Sequence, residues 1–597
     1  MIKTHSFHIP VMGLAFTIDT PLKVAHYGID SVISLGDDML IEKMRKVYAE
    51  KYDIAYKEIN SSEDDYRAKR ITAYLNLIND LVEKKFELLN SDNLERQSEL
   101  RKLYNLLPAS STTKKQLKQL KSTDLTAIEK LIKENLTLGK IDVNIMTKVD
   151  KENYVKNEKL PVEYNDAHAG VRGYANSNLN SSLVLSAGLN PRLFSYMENF
   201  DDFFPNEQGE IKKKIVLKVS DYRSALIQGK FLAKKGLWVS EFRIESGLNC
   251  GGHAFATEGY LMGPILAQFR DERQELTDTL HEIFIQGLER ANRTVPQQKL
   301  GIKITAQGGV GTAEEHEFLL NHYQLSSVGW GTPFLLVPEA TTVDEGTREK
   351  LAKAKEKDLY LSNISPLGVP FHNLRSNTKD QEKERRKKRG KPGSPCPKKF
   401  LSLNKEFTEK AICTASRQYQ SLKIKELDEA GLDKETYNNQ YNSIVEKACI
   451  CVGLGTSALL TNGLNTKVEG PGVSICPGPN LAYFSNIISL NTMVDHIYGR
   501  GKSLTTTNRP NLFIKELGMY MDVLKNKCKE AITPKSDRSL MSFMDNLNEG
   551  IDYYENLIGK GLETFKEARA EILKALEESR QIINRLKGAH MSQLVLE

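Results

Sequence analysis

The chain lacks any apolar run of about eighteen residues, the length that crosses a bilayer as a helix, so no membrane span and no membrane partner are expected. It also lacks charge of one sign. The 83 Lys+Arg stand against 77 Asp+Glu, and a formal net charge of +6 over 597 residues does not mark a nucleic-acid binder. Cysteine is scarce: 7 residues, an odd number, which argues against a disulfide framework. The start, MIKTHSFHIPVMGLAF, has too short an apolar part for a signal peptide, so a cytoplasmic location is expected. There is no internal repeat, no compact Cys-x2-Cys pair and no separate Gly-x-Gly-x-x-Gly strand–helix unit for NAD(P)H. What remains, 40% hydrophobic and 27% charged residues, fits a globular chain too long for one ordinary domain.

Strand-like and helix-like segments alternate. Phe7–Met12, Ser31–Leu35, Ile141–Thr147, Ser182–Ser186, Ile215–Val219, Trp238–Ile244, Ile302–Ala306 and the short Ser327-Val328 read as strands. Thr20–His26, Tyr222–Lys235 and Glu258–Asn292 read as helices between them, a rhythm that favours a parallel sheet or barrel. Residues 38–137 break the rhythm with charged amphipathic helices, their apolar positions Ile71, Leu75, Leu77, Ile78 and Leu81 at helical spacing. The division expected is a barrel over 1–37 and 138–370, a helical insertion over 38–137, a basic linker over 371–395, a Cys-rich region over 396–510 and C-terminal helices over 511–597. The last would suit a cap or a dimerising hairpin, so a homodimer is one expectation. The loop Ser362–Arg375 reads as a surface connection or as a flap over the site.

The richest stretch is Lys303–Ala340. A strand ends in Gly308-Gly309; a polar turn leads into a helix; a second strand ends in Gly329-Trp330-Gly331-Thr332. Glycines let backbone N–H groups close on an anion, and the following helix N-terminus adds a favourable dipole. In (β/α)8 barrels the phosphate site lies after the last two strands, and ordinary permissive turns are the alternative. Earlier, Gly251-Gly252-His253 follows the strand Trp238–Ile244, which puts an imidazole on a tight turn at the strand's C-terminal end. Histidine can take a proton from an acidic carbon or return one, or it can simply brace a loop. Cys250 beside it could form a Cys–His dyad or line a pocket.

Taken in order, IPVMG, ESGLNCGGH, AQGGVGT and VGWGTPFLLVPEA resemble the nitronate monooxygenase and enoyl-reductase group of FMN-dependent barrels, once called 2-nitropropane dioxygenases. The resemblance covers roughly 5–36 and 160–370. It implies a TIM (β/α)8 barrel and FMN as cofactor. It implies oxidoreductase chemistry on a small molecule at a carbon next to an activating group, a nitronate or an enoyl thioester. By that resemblance Met12 and Gly13 would lie beside the flavin ring. Gly308, Gly309, Gly329, Gly331 and Thr332 would hold its phosphate, His253 would be the active-site histidine, and Gln307 and Lys218 would face the same mouth. The electron donor, NAD(P)H or a protein, stays open. Trp330 departs from the family's smaller residue, and the insertion and the C-terminal part have no counterpart in small members. A flavin-free barrel enzyme for a phosphorylated ligand, or a scaffold that keeps the barrel, are the rival readings.

Five cysteines, Cys396, Cys413, Cys449, Cys451 and Cys476, gather in one region. Thiolates prefer soft metals, so Cys396, Cys413, Cys449 and Cys476 form the set expected for an iron–sulfur cluster, with zinc as a further option. Cys449 and Cys451 stand too close in sequence for both to ligate easily. Buried reduced thiols fit the same residues equally well.

Overall fold

A computed structural model describes residues 4–596 other than 90–93, 120–124, 187, 246, 248, 250, 255–257, 531–533 and 560–563. Eight parallel strands close into a barrel: β1 Phe7–Ile9, β2 Asp30–Ser34, β3 Ile141–Met146, β4 Ser181–Ser186, β5 Lys213–Val219, β6 Val239–Glu245, β7 Lys303–Gln307 and β8 Ser327–Gly329. Each strand pairs with its neighbours in sequence. β1 closes the ring by pairing with β8 at Phe7↔Val328 and with β2 at His8↔Asp30. This is a (β/α)8 barrel, as the alternation of segments predicts.

The strands are short, β-branched and apolar, and most of their residues are buried on both faces, as a parallel sheet under helices requires. Inside the barrel, Val32, Val184 and Val216 make a small apolar layer. The half nearer the strand N-termini is polar and paired. Glu241 accepts hydrogen bonds from Arg243 Nη2 at 2.7 Å and from Thr305 Oγ1 at 2.6 Å.

Between β2 and β3 stand the helices Asp38–Lys51, Tyr66–Leu88, Leu94–Leu106, Thr112–Gln119 and Leu125–Asn135. Ile71, Leu75, Ile78 and Leu81 are buried as their spacing demands, and Leu77 is half-buried. The charged run expected as a linker is instead part of the helix Thr378–Lys388, capped by the Asn377 side chain on the Asp380 amide at 2.9 Å. The segment Lys434–Thr461, apolar enough to cross a membrane, has 72% of its most apolar window buried inside the protein, which marks a core element.

The C-terminal helices Leu512–Glu530, Pro534–Gly559 and Arg569–Leu596 pack on the barrel of their own chain. The Glu516 carboxylate accepts from the amides of Gly247 at 3.0 Å and Met262 at 2.9 Å, capping the helix Met262–Asp271. The Tyr554 hydroxyl accepts from the Gly263 amide at 2.9 Å. These contacts hold the C-terminal part over the loops that follow β6.

Candidate functional site

A cavity of about 200 Å³ opens at the C-terminal ends of the strands. Its wall is mainly apolar, with Leu14, Met146, Phe371, Phe400 and Leu454 among its residues. Four residues expected at the site line it: Gly13, Lys218, His253 and Gln307. Met12 is buried beside them, its amide donating to Thr17 Oγ1 at 3.3 Å, while its neighbours Val11 and Gly13 face the cavity.

Lys218 on β5, Glu245 on β6 and Gln307 on β7 form one chain across three strand ends. Lys218 Nζ lies 2.8 Å from Glu245 Oε1, and Gln307 Nε2 donates to the same oxygen at 2.7 Å. Among the described residues, Gln307 Oε1 is buried with no partner, an orphaned acceptor in a side chain on the cavity wall. A buried acceptor left unpaired is costly, so its presence at the cavity points to a donor supplied by a ligand.

His253 sits where the tight turn after β6 was expected to place it. Its backbone bridges Phe371, its ring meets the Phe371 ring edge-on at 4.9 Å, and its Nε2 lies 2.7 Å from Ser365 Oγ. Burial holds the imidazole down to about 4, so it is neutral near pH 7. The segment Ser362–Arg375 therefore reaches the site. Its arms, Leu359–Ser362 and Phe371–Leu374, form a hairpin that delivers both Ser365 and Phe371. Cys250 lies outside the described residues.

The glycines after β7 and β8 are placed differently. Gly308, Gly309, Gly329, Gly331 and Thr332 are buried but are not part of the cavity wall. A segment of the C-terminal part lies on them: the Gly478 amide donates to Thr332 Oγ1 at 3.0 Å, and Asn480 Nδ2 donates to the Val310 carbonyl at 2.8 Å. Arg509 Nη2 donates to the Gly309 carbonyl at 2.7 Å. The helix Ala313–His322 already holds an anion of its own at its start. The Glu315 carboxylate accepts from the Gly311 amide at 2.9 Å and pairs with Arg509 at 2.8 Å.

Close approach explains the glycines. At Gly308, φ is +107°, and a Cβ would lie 2.6 Å from the Asn249 Cα, so the loops after β6 and β7 meet backbone to backbone. At Gly251, φ is +108° and a Cβ would strike the carbonyl oxygen of Cys476. The Cys476 carbonyl also accepts from the Gly252 amide at 3.2 Å, which seats the C-terminal part beside His253.

Cys476 is one of the four cysteines expected to share a ligand, and it stands at that contact. Cys476 lines the barrel cavity, and Cys396, Cys413, Cys449 and Cys451 are buried near one another. Among the described residues, no group of three or more His, Cys, Asp or Glu side chains is arranged to hold a metal ion. Hydrogen bonds from Cys396, Cys451 and Ser394, with the charge of Lys379, pull the Cys449 thiol well below its usual range despite burial. Cys451 also lines the cavity, so the cluster adjoins the site.

Sequence reasoning gave no role to much of the wall, Ser34, Asn144, Ser186 and Glu245 included, nor to four others from more distant segments. Arg67 comes from the insertion and pairs with Asp38 at 2.5 Å; Asp166, Phe400 and Cys451 complete the list. Only Cys451 carried a signal, its place among clustered cysteines.

No protein-family model and no curated protein matches this chain. Among solved structures it is similar to the enoyl reductase domain of MlnA from the macrolactin biosynthesis cluster of Bacillus amyloliquefaciens. The two are 13% identical over 72% of this chain and 86% of that one, with a TM-score of 0.30.

Proposed function

We propose that this chain is a flavin-dependent oxidoreductase acting on a small molecule at a carbon next to an activating group, in the nitronate or enoyl-thioester manner. The observation that carries the reading is the cavity itself. It is apolar-walled, stands at the active end of the barrel, and gathers Lys218, Glu245, Gln307 and His253 from consecutive strand ends.

The residues fit a flavin at the ring end. The orphaned Gln307 Oε1 suits an N–H donor on a heteroaromatic edge. Gln307 and Lys218 would hold the ring. The glycines after β7 and β8, covered by the segment that carries Gly478 and Asn480 and with Arg509 paired to Glu315, take no part in this reading, which rests on the ring end alone. When bound, the flavin would exchange a hydride equivalent with the substrate carbon.

The chain's own residues handle charge and protons. A neutral His253 is the form that accepts a proton from carbon, and Ser365 Oγ keeps its Nε2 oriented. Lys218 keeps a positive charge at the mouth, partly offset by Glu245. The apolar wall excludes water and strengthens both effects.

The test is the ultraviolet–visible spectrum of the purified protein, with mass spectrometry of what heat releases. A two-band flavin spectrum with FMN released is expected. A colourless protein that cannot be reconstituted with FMN overturns the reading.

A further inference from the structure

A second cavity stands on the far side of the hairpin that reaches the candidate site. The strand Phe371–Leu374 turns successive side chains to opposite faces. Phe371 lines the barrel cavity, and the next residue, His372, lines a separate cavity of about 730 Å³. The facing walls of that cavity come from the helices Leu512–Glu530 and Arg569–Leu596. Its volume falls within the roughly 300–1,000 Å³ of small-molecule sites.

Ile514, Met519, Val523 and Ile582 give this cavity an apolar lining. The charged side chains around it are already matched. Lys515 lies 3.2 Å from Glu356, Lys525 lies 3.3 Å from Asp522, and Glu578 lies 3.9 Å from Lys574. A wall of this kind suits an uncharged ligand, because an ion would lose its hydration without gaining a partner.

Two features of the wall are costly to the fold. His372 is 4% exposed, and among the described residues its Nε2 is buried without a hydrogen-bond partner. An unpaired buried polar atom marks a place where a ligand supplies the partner. Gly518 lies inside the helix Leu512–Glu530, where glycine weakens the helix. Close packing does not demand it, since a Cβ there would meet nothing within 4 Å. What the glycine keeps is open volume, for Gly518 lines the cavity.

We propose that this cavity is a second small-molecule site, which takes an uncharged, mainly apolar molecule carrying one hydroxyl. The apolar body lies over Gly518 against Ile514, Met519 and Ile582, and the hydroxyl pairs with His372 Nε2. A hydroxyl both donates and accepts, so it serves the ring nitrogen in either tautomer. The site does not depend on the proposed flavin. It adjoins the barrel cavity through one strand, because Phe371, next to His372, meets the His253 ring at 4.9 Å.

The experiment titrates the full-length chain with β-naphthol, an uncharged aromatic alcohol, by calorimetry with and without FMN. Saturable binding of one molecule per chain is expected, unchanged by FMN. Gly518→Leu should fill the cavity and abolish binding, with a melting temperature equal to or above that of the parent, since leucine favours the helix. His372→Phe should keep the packing and weaken binding about 3–10-fold, the scale of one net hydrogen bond. Ile582→Trp fills the same space from the other helix and decides the matter should Gly518→Leu fail to fold. No saturable binding, undiminished affinity in the cavity-filling variants, equal affinity in His372→Phe, or displacement by FMN would each overturn the proposal.

Discussion

The Nε2 of His253 and the Oγ of Ser365 lie 2.7 Å apart although 112 positions separate them in sequence. The contact joins the turn after β6 to the hairpin that follows β8. Ser365 is fully buried, and its oxygen also accepts from the Leu367 amide at 3.2 Å. The hydroxyl therefore serves to orient the ring. Ser365→Ala should destabilise the fold by about 1–2 kcal/mol, because it leaves a buried ring nitrogen without a partner. It should also lower kcat more than it raises KM, and Ser365→Thr should restore part of the loss. Thermal unfolding and steady-state kinetics on the two variants check this.

His253→Ala removes the proton-handling group and leaves Gln307, Lys218 and the glycine turns in place. The expected outcome is unchanged flavin content with turnover reduced by about 100-fold or more, the usual scale for a lost acid–base group. Parallel measurement of the flavin absorbance and of turnover separates the two effects. Unchanged turnover would remove the role assigned to His253.

Much of this was legible in the sequence, for identifiable reasons. All eight barrel strands announce themselves because parallel strands buried on both faces must be short apolar runs, and Ser181–Ser186 or Lys213–Val219 can be nothing else in their surroundings. Gln307 was legible because it ends such a run, and His253 because it follows one on a Gly-Gly turn. The relation of Arg509 to Gly309 was not, because a buried arginine 200 positions away carries no local pattern. The place of Cys451 was hidden for a related reason. Spacing alone cannot show that Cys451, two positions beyond Cys449 at the helix start, borders the cavity together with Cys476. The charged run near residue 385 misled because a run of like charges reads as a solvated linker, whereas an asparagine cap and its acidic partners make it a helix.

Acid should weaken the fold through neutral buried histidines. Burial holds His253, His316 and His372 each down to about 4 from an ordinary 6.5. Between those values the unfolded chain binds protons that the folded chain does not, so stability rises with pH across this window. Lowering the pH from about 7 to about 4 should cost on the order of 3 kcal/mol for each histidine. Denaturant unfolding followed at several pH values checks it, and His316→Gln should flatten the slope. A stability curve level from pH 7 to pH 4 would contradict these assignments.

Gly308→Ala tests the backbone contact between the two loops. A Cβ there would lie 2.6 Å from Asn249 Cα with no flexible side chain to yield, and φ of +107° is itself strained for alanine. A loss of about 2–4 kcal/mol is expected, from strain and overpacking together. Because the loop after β6 carries His253, the displaced backbone should also weaken cofactor retention. Melting temperature and flavin content should fall together, and a variant as stable as the parent would show that the loops are free to separate.

The pair Glu315–Arg509 gives the last and most asymmetric prediction. Both side chains are almost completely buried, at 2% and 4% exposure, and lie 2.8 Å apart. Breaking a buried pair by removing one partner costs about 3–5 kcal/mol, because a charge is left without compensation. The two halves are not equivalent. Arg509 gives up bonds to the Gly309 carbonyl and to Asn480, whereas Glu315 also accepts from the amides of Gly311 and Leu512. Glu315→Leu therefore strands a cation and two backbone donors, while Arg509→Leu strands one carboxylate that still accepts two amide bonds and sits at a helix start. Chemical denaturation should show Glu315→Leu to be the more damaging change. The Arg509→Leu protein, if it retains its flavin, would show that the guanidinium secures the C-terminal segment without binding the phosphate.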